Sequence, residues 1–116
     1  MGDLAFPPGL HLKKPSEFRA VFDRGAKRHT NAFILFRADN SLDRPRLGVS
    51  VSRKIGGAVV RNRVKRLLRE AFRTQWRAWE LTGTDLVVIA KRGADALDYH
   101  DVSRQFAGAF TARSRR

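Results

Sequence analysis

The chemistry available to this chain is concentrated in one stretch, Arg53-Lys54-Ile55-Gly56-Gly57-Ala58-Val59-Val60-Arg61-Asn62-Arg63-Val64-Lys65-Arg66. It sets cations at the beginning of a helix, where unpaired amide groups and the helix dipole already attract phosphate. Arg61 and Lys65 stand a turn apart, and Asn62 lies between two arginines. An asparagine amide can hydrogen-bond a ribose 2′-hydroxyl or a base edge, which a purely ionic surface cannot do. The bland alternative is a solvated basic helix face. Glu70 is the only acid interleaved with these cations, so salt bridges along the helix cannot be their purpose. The pattern points to a polyanionic partner.

Bond-breaking chemistry is poorly provided for. Hydrolytic nucleases gather carboxylates around metal ions or use a histidine pair. The nearest approach is Asp95, Asp98 and Asp101, whose spacing at a helix start is better explained by capping and dipole compensation. His11, His29 and His100 share no motif, although His29 can join a set facing the polyanionic partner. There is no cysteine, which removes thiolate chemistry and agrees with a reducing cytosol. Gly56-Gly57 is neither a Walker loop nor a dinucleotide fingerprint; it allows close backbone approach at a strand-to-helix turn. No catalytic residue and no metal ligand is assigned, and no cofactor is expected for the protein alone.

The charge balance agrees. Lys and Arg number 24 against 11 Asp and Glu, a net charge of +13 that repels itself unless a partner neutralises it. Nucleic acid is the first candidate and an anionic membrane the rival. Arginine far outnumbers lysine, and guanidinium suits bidentate phosphate contact and base stacking. No apolar run is longer than Leu86–Ala90, far too short to span a bilayer. The opening MGDLAFPPGL carries Asp3 and no basic flank, so it does not read as a secretory signal. A cytoplasmic protein is expected.

A chain of 116 residues with 42% apolar content suits one domain with one core. Residues 1–14, broken by Pro7, Pro8 and Gly9, read as a loose arm, and residues 112–116 as a frayed basic tail. A helix begins at Pro15, with Glu17 in its first turn, Phe18, Val21 and Phe22 on one face, and Gly25 to end it. The stretch from Ala26 to Ala38 centres on a buried strand at Phe33–Phe36. Leu47 to Ser52 alternates with period two. Leu47, Val49 and Val51 face one way, leaving Gly48, Ser50 and Ser52 on a small, polar, open face.

The longest helix is expected from Ala58 to Glu80. At about 100° per residue, Val60, Val64, Leu67, Leu68, Ala71 and Phe72 gather on one arc, while Arg61, Asn62, Arg63, Lys65, Arg66, Arg69 and Arg73 spread over the rest. Leu86–Ala90 reads as a central strand, and a last helix follows Asp98 with Val102, Phe106, Ala109 and Phe110 as its stripe. The order α-β-β-β-α-β-α gives an α+β two-layer sandwich, with about four strands and three helices.

The stretch from Leu47 to Phe72, LGVSVSRKIGGAVVRNRVKRLLREAF, closely resembles the signature of the bacterial ribonuclease P protein component. PSEFRAVFDRG resembles that family's first helix, Phe33 to Phe36 its first long strand, and Leu86 to Arg92 its last strand with the basic pair after it. The similarity runs from about Leu10 to Phe110. A lone Arg-Asn-Arg would mean little, but the ordered set is specific.

The resemblance implies a left-handed β-α-β crossover, against the usual handedness. It implies that a partner RNA performs Mg2+-dependent hydrolysis of precursor tRNA, while the protein grips the single-stranded 5′ leader and binds the RNA subunit. The RNA-subunit set would be Arg53, Lys54, Arg61, Asn62, Arg63, Lys65, Arg66 and Arg69. The leader set would be Phe18, Phe22, Phe36, Ser50, Ser52, Lys54, Lys91 and Arg92. From pattern alone Phe18 and Phe22 read more readily as core; the resemblance makes a stacking cleft an equal alternative. Phe36 stands where the family often has tyrosine, so it can stack but has no hydroxyl with which to hydrogen-bond. The isolated protein is expected to be monomeric. Two other readings stand beside this one. A structural, ribosomal-type RNA-binding protein would share the charge but needs no exposed phenylalanines beside a small polar face. A nuclease acting alone is disfavoured by the scattered acids.

Overall fold

The computed structural model describes residues 8–114. Three helices and four strands follow in the expected order: α1 (Pro15–Arg24), β1 (Ala26–His29), β2 (Phe33–Asp39), β3 (Arg46–Ser50), α2 (Ala58–Gln75), β4 (Thr84–Ala90) and α3 (Tyr99–Ser114). The sheet order is β1-β2-β4-β3. β2 runs antiparallel to both β1 and β4, and β3 runs parallel to β4, so α2 is the crossover of a β-α-β unit.

Local chemistry explains the boundaries. Pro15 opens α1, and Glu17 Oε1 accepts the amides of Lys13 (2.9 Å) and Lys14 (3.0 Å). Gly25 ends the helix as expected, but by close approach. Its φ is −79°, and a Cβ there would lie 2.5 Å from the Val21 carbonyl oxygen. The run from Ala26 to Ala38 divides into two strands at Thr30–Ala32, a turn held from α3 by Gln105 Oε1, which accepts Thr30 Oγ1 (2.8 Å) and the Ala32 amide (3.0 Å). Asp98 and Asp101 accept each other's amides at the start of α3, at 2.9 and 3.1 Å, which is the capping role read from their spacing.

Three sequence expectations are corrected. α2 stops at Gln75, short of Glu80. Trp76 caps it, the chain turns with Glu80 at φ 58°, and Trp79 and Leu81 enter the core. The arm expected to be loose through residue 14 is docked from Pro8 onward. His11 bridges Leu47, the Leu12 amide donates to the Leu47 carbonyl (2.9 Å), and Leu12 is buried, because the outer edge of β3 would otherwise leave its ladder unpaired. Residues 1–7 lie outside the described part. The tail expected from residue 112 begins later, since α3 is helical through Ser114; residues 115–116 lie outside the described part.

The register assigns the two faces of the sheet. Phe33, Leu35, Leu47, Leu86, Val88 and Ala90 share one face and are buried against Val64, Leu68, Ala71 and Phe72 of α2 and Val102, Phe106 and Phe110 of α3. Each large side chain removed from water in this way stabilises the fold by about 1.5–3 kcal/mol. This face, with α2 and α3, gives the expected α+β arrangement, but not as two layers only, because a third helix packs on the other side of the sheet. α1 lies on the opposite face, with Phe18 and Val21 packed on Leu12, Phe36, Ala38 and Val87.

Candidate nucleic-acid interface

Cross-strand pairing divides the α1 face into rows. Ala38, Asp85 and Arg46 form one row; Lys27, Phe36, Val87 and Gly48 form the next; His29, Ile34, Ile89 and Ser50 form a third. α1 crosses the first two. The ring of Phe18 sits on Gly48, Val21 and Val87 are buried beneath the helix, and Phe22 meets Phe36. Among the described residues, no helix lies over the third row. His29 and Ser50 at its ends are exposed, and Ile34 and Ile89 between them are half-buried. The result is a groove with an apolar floor, polar ends and an aromatic wall.

The phenylalanines of α1 differ in burial from the valine between them. Val21 is the core residue of α1, at 1% exposure. Phe18 is half-buried, and Phe22 is 41% exposed at the groove's edge. Phe22 and Phe36 pack edge to face at 4.9 Å, and Lys27 Nζ lies 5.7 Å from the Phe36 centroid. Ser52 and Lys54 follow the end of β3, and Lys91 and Arg92 follow the end of the parallel strand β4, so all four gather at one end of the sheet. One expectation fails: Gly48 is not open, because Phe18 covers it. Lys27, Ile34 and Ile89 were missed. Alternation within Phe33–Phe36 could have placed Ile34 beside Phe36; the uniformly apolar β4 carried no such signal for Ile89.

α2 presents the second surface. Arg61 Nε donates to the Gly56 carbonyl (3.1 Å), and Arg63 donates to the carbonyls of Asp95 (2.9 Å) and Leu97 (3.1 Å). These bonds hold each guanidinium in place without neutralising it. Among the described residues, no ion pair involves Arg53, Lys54, Arg61, Arg63, Lys65, Arg66 or Arg69, whereas Glu70 is taken by Arg73 at 2.6 Å. Asn62 and Arg66 are exposed, and Lys65 and Arg69 are half-buried beside them. The N-cap is Gly57, with no side-chain cap and no acid in the first turn, so the positive end of the helix dipole adds to the cations.

A partly buried ionic brace went unnoticed in the sequence. Arg46 donates to both oxygens of Asp85 (2.9 and 2.8 Å) and with its remaining terminal nitrogen to Glu17 Oε2 (3.0 Å). Asn40 also donates to Asp85 (2.8 Å). Hydrogen bonding to Asp85 raises the Arg46 pKa. The amides of Lys14 and Lys13, with help from Arg46, hold the Glu17 carboxyl below its usual range. The signal available was a charged residue at the edge of each apolar strand pattern, which by itself names no partner.

Among the described residues, no group of three or more His, Asp or Glu side chains is placed to hold a metal ion, and no helix is long and apolar enough to cross a membrane. Asp98 is held below the usual carboxyl range mainly by the Asp101 amide, in keeping with its cap.

Comparisons with known proteins agree with this geometry. A family model described as Ribonuclease P matches residues 6–113. The ribonuclease P protein component of Natranaerobius thermophilus is 46% identical over 95 residues, 82% of each chain. That of Syntrophus aciditrophicus is 35% identical over 111 residues, 96% of this chain and 92% of its own. Among solved structures, the Staphylococcus aureus RNase P protein superposes with a TM-score of 0.78 at 28% identity, covering 90% of this chain and 94% of that one. The Thermotoga maritima protein gives 0.77 at 28% identity, covering 88% and 96%. Agreement in sequence and fold along nearly the whole chain shows that this protein belongs to the family of ribonuclease P protein components, the protein part of the ribonuclease P ribonucleoprotein.

Proposed function

We propose that this protein binds the ribonuclease P RNA through the cationic face of α2 and holds the single-stranded 5′ leader of precursor tRNA in the groove beside α1. The RNA subunit, with Mg2+, carries out the hydrolysis that leaves a mature tRNA 5′ end. The chain's own residues bind and orient.

The observation that carries this reading is the uncovered row His29–Ile34–Ile89–Ser50 beside Phe22 and Phe36. An apolar floor and aromatic wall favour unpaired bases, whose faces stack with little regard to sequence at about 1–3 kcal/mol each. Lys54, Lys91 and Arg92 at one end of the sheet suit the phosphates of the same strand. Arg61, Asn62, Arg63, Lys65, Arg66 and Arg69, uncompensated by acids, suit structured RNA. A ribosomal-type RNA binder would account for the helix but not for the groove. We take the working form to be one copy of the chain in the cytoplasm.

The test combines this protein with a bacterial ribonuclease P RNA at low Mg2+ and follows 5′ cleavage of precursor tRNA, with each component alone as control. Cleavage should require the RNA and rise when the protein is added. Cleavage by the protein alone, or no effect of the protein, would end the reading.

A further inference from the structure

We propose that Glu17, Arg46 and Asp85 are positioning residues for the leader: the brace they form under the start of α1 sets the pose of the groove's aromatic wall, and with it the preference for precursor over mature tRNA. The inference rests on the leader-groove reading above and names what controls that groove.

None of the three lies in the open row. Arg46 and Asp85 occupy the row farthest from it, at the margin of α1, and Glu17 lies in the first turn of that helix. Asp85 is 5% exposed, a carboxylate that its row of the sheet would not otherwise accommodate. Arg46 meets it with two parallel hydrogen bonds and passes a third to Glu17, whose other oxygen collects the amides of Lys13 and Lys14. The chain of contacts therefore runs from β4 through β3 into the N-terminus of α1.

The apolar hold on α1 is small by comparison. Val21 is its one fully buried side chain; Phe18 is half-buried and Phe22 is largely free of the core. A helix gripped by so few side chains can settle in neighbouring poses unless something directional selects one. The planar fork of Arg46 does so. A ten-residue helix is rigid over about 15 Å, so a shift at its braced end is carried to Phe18 and Phe22. Stacking and near-attack geometry lose much of their value with displacements of an ångström.

The test uses the reconstituted holoenzyme carrying Glu17→Gln or Arg46→Lys. Gln keeps an oxygen for the Lys13 and Lys14 amides and removes the charge facing Arg46; Lys keeps the charge and removes the fork. Affinities for precursor tRNA, mature tRNA and the RNA subunit are measured well below the melting temperature of each variant. The precursor-to-mature preference should fall about five-fold or more, while RNA-subunit affinity stays within about two-fold, as for distant independent sites. Should Arg46→Lys fail to fold, Glu17→Gln carries the test, since the Glu17 side chain is 25% exposed. An unchanged preference, or an equal loss toward both tRNAs, would make the brace merely structural and overturn the proposal. A wild-type holoenzyme without any precursor preference would remove the groove reading first, and the brace's role with it.

Discussion

The ring of Phe18 rests on the backbone of Gly48, so closely that a Cβ at position 48 would lie 2.5 Å from a ring carbon. The glycine is what lets α1 sit down on β3. Gly48→Ala should push Phe18 and the helix outward and destabilise the protein by about 1–3 kcal/mol, the usual cost of overpacking. Chemical denaturation measures this. A variant as stable as the parent would mean that α1 has room to spare.

Acid should loosen the same helix. Glu17 has a folded-state pKa lowered by the Lys14 and Lys13 amides and by Arg46. A lowered folded pKa means that the unfolded chain takes up the proton first. The stabilisation is therefore fully present above the ordinary carboxyl pKa and is lost as pH falls through the lower folded value. Glu17→Gln should remove that part of the pH dependence, leaving a flatter stability curve on the acid side. Parallel curves for parent and variant would contradict the assignment.

Salt should report on α2. Replacing Arg61 and Arg63 by Ala should weaken binding to the RNA subunit and flatten its salt dependence, by about 0.7–0.9 in log–log slope for each phosphate no longer neutralised. Because both side chains are held by backbone carbonyls, a modest drop in stability of about 1 kcal/mol per hydrogen bond should accompany this. An unchanged salt slope would remove the helix from the RNA interface.

Adjacent positions on α1 should separate folding from binding. Val21→Ala, at a site 1% exposed, should cost about 1.5–2 kcal/mol of stability. Phe22→Ala, at a site 41% exposed, should leave the fold nearly intact yet weaken precursor tRNA binding more than mature tRNA binding, by up to about 1–3 kcal/mol for each base that can no longer stack. Unfolding of the Phe22 variant would return that ring to the core.

Much of this was legible in the chain itself, because it is local. A proline, a first-turn acid and a glycine bound α1; a 3.6-residue period sorts α2 into apolar and cationic faces; Asp98 and Asp101 cap α3 across three positions. Net charge and the near absence of acids around Arg61–Arg69 needed no coordinates at all. Folding decided the rest, because it depends on residues far apart in sequence meeting in one register. Only strand pairing puts His29, Ile34, Ile89 and Ser50 in one row, and only the seat of α1 leaves that row uncovered while closing over Gly48. Arg46 finds Asp85 for the same reason: two charges at the ends of separate strands become a bidentate pair only when the sheet aligns them, and nothing in either neighbourhood specifies the other.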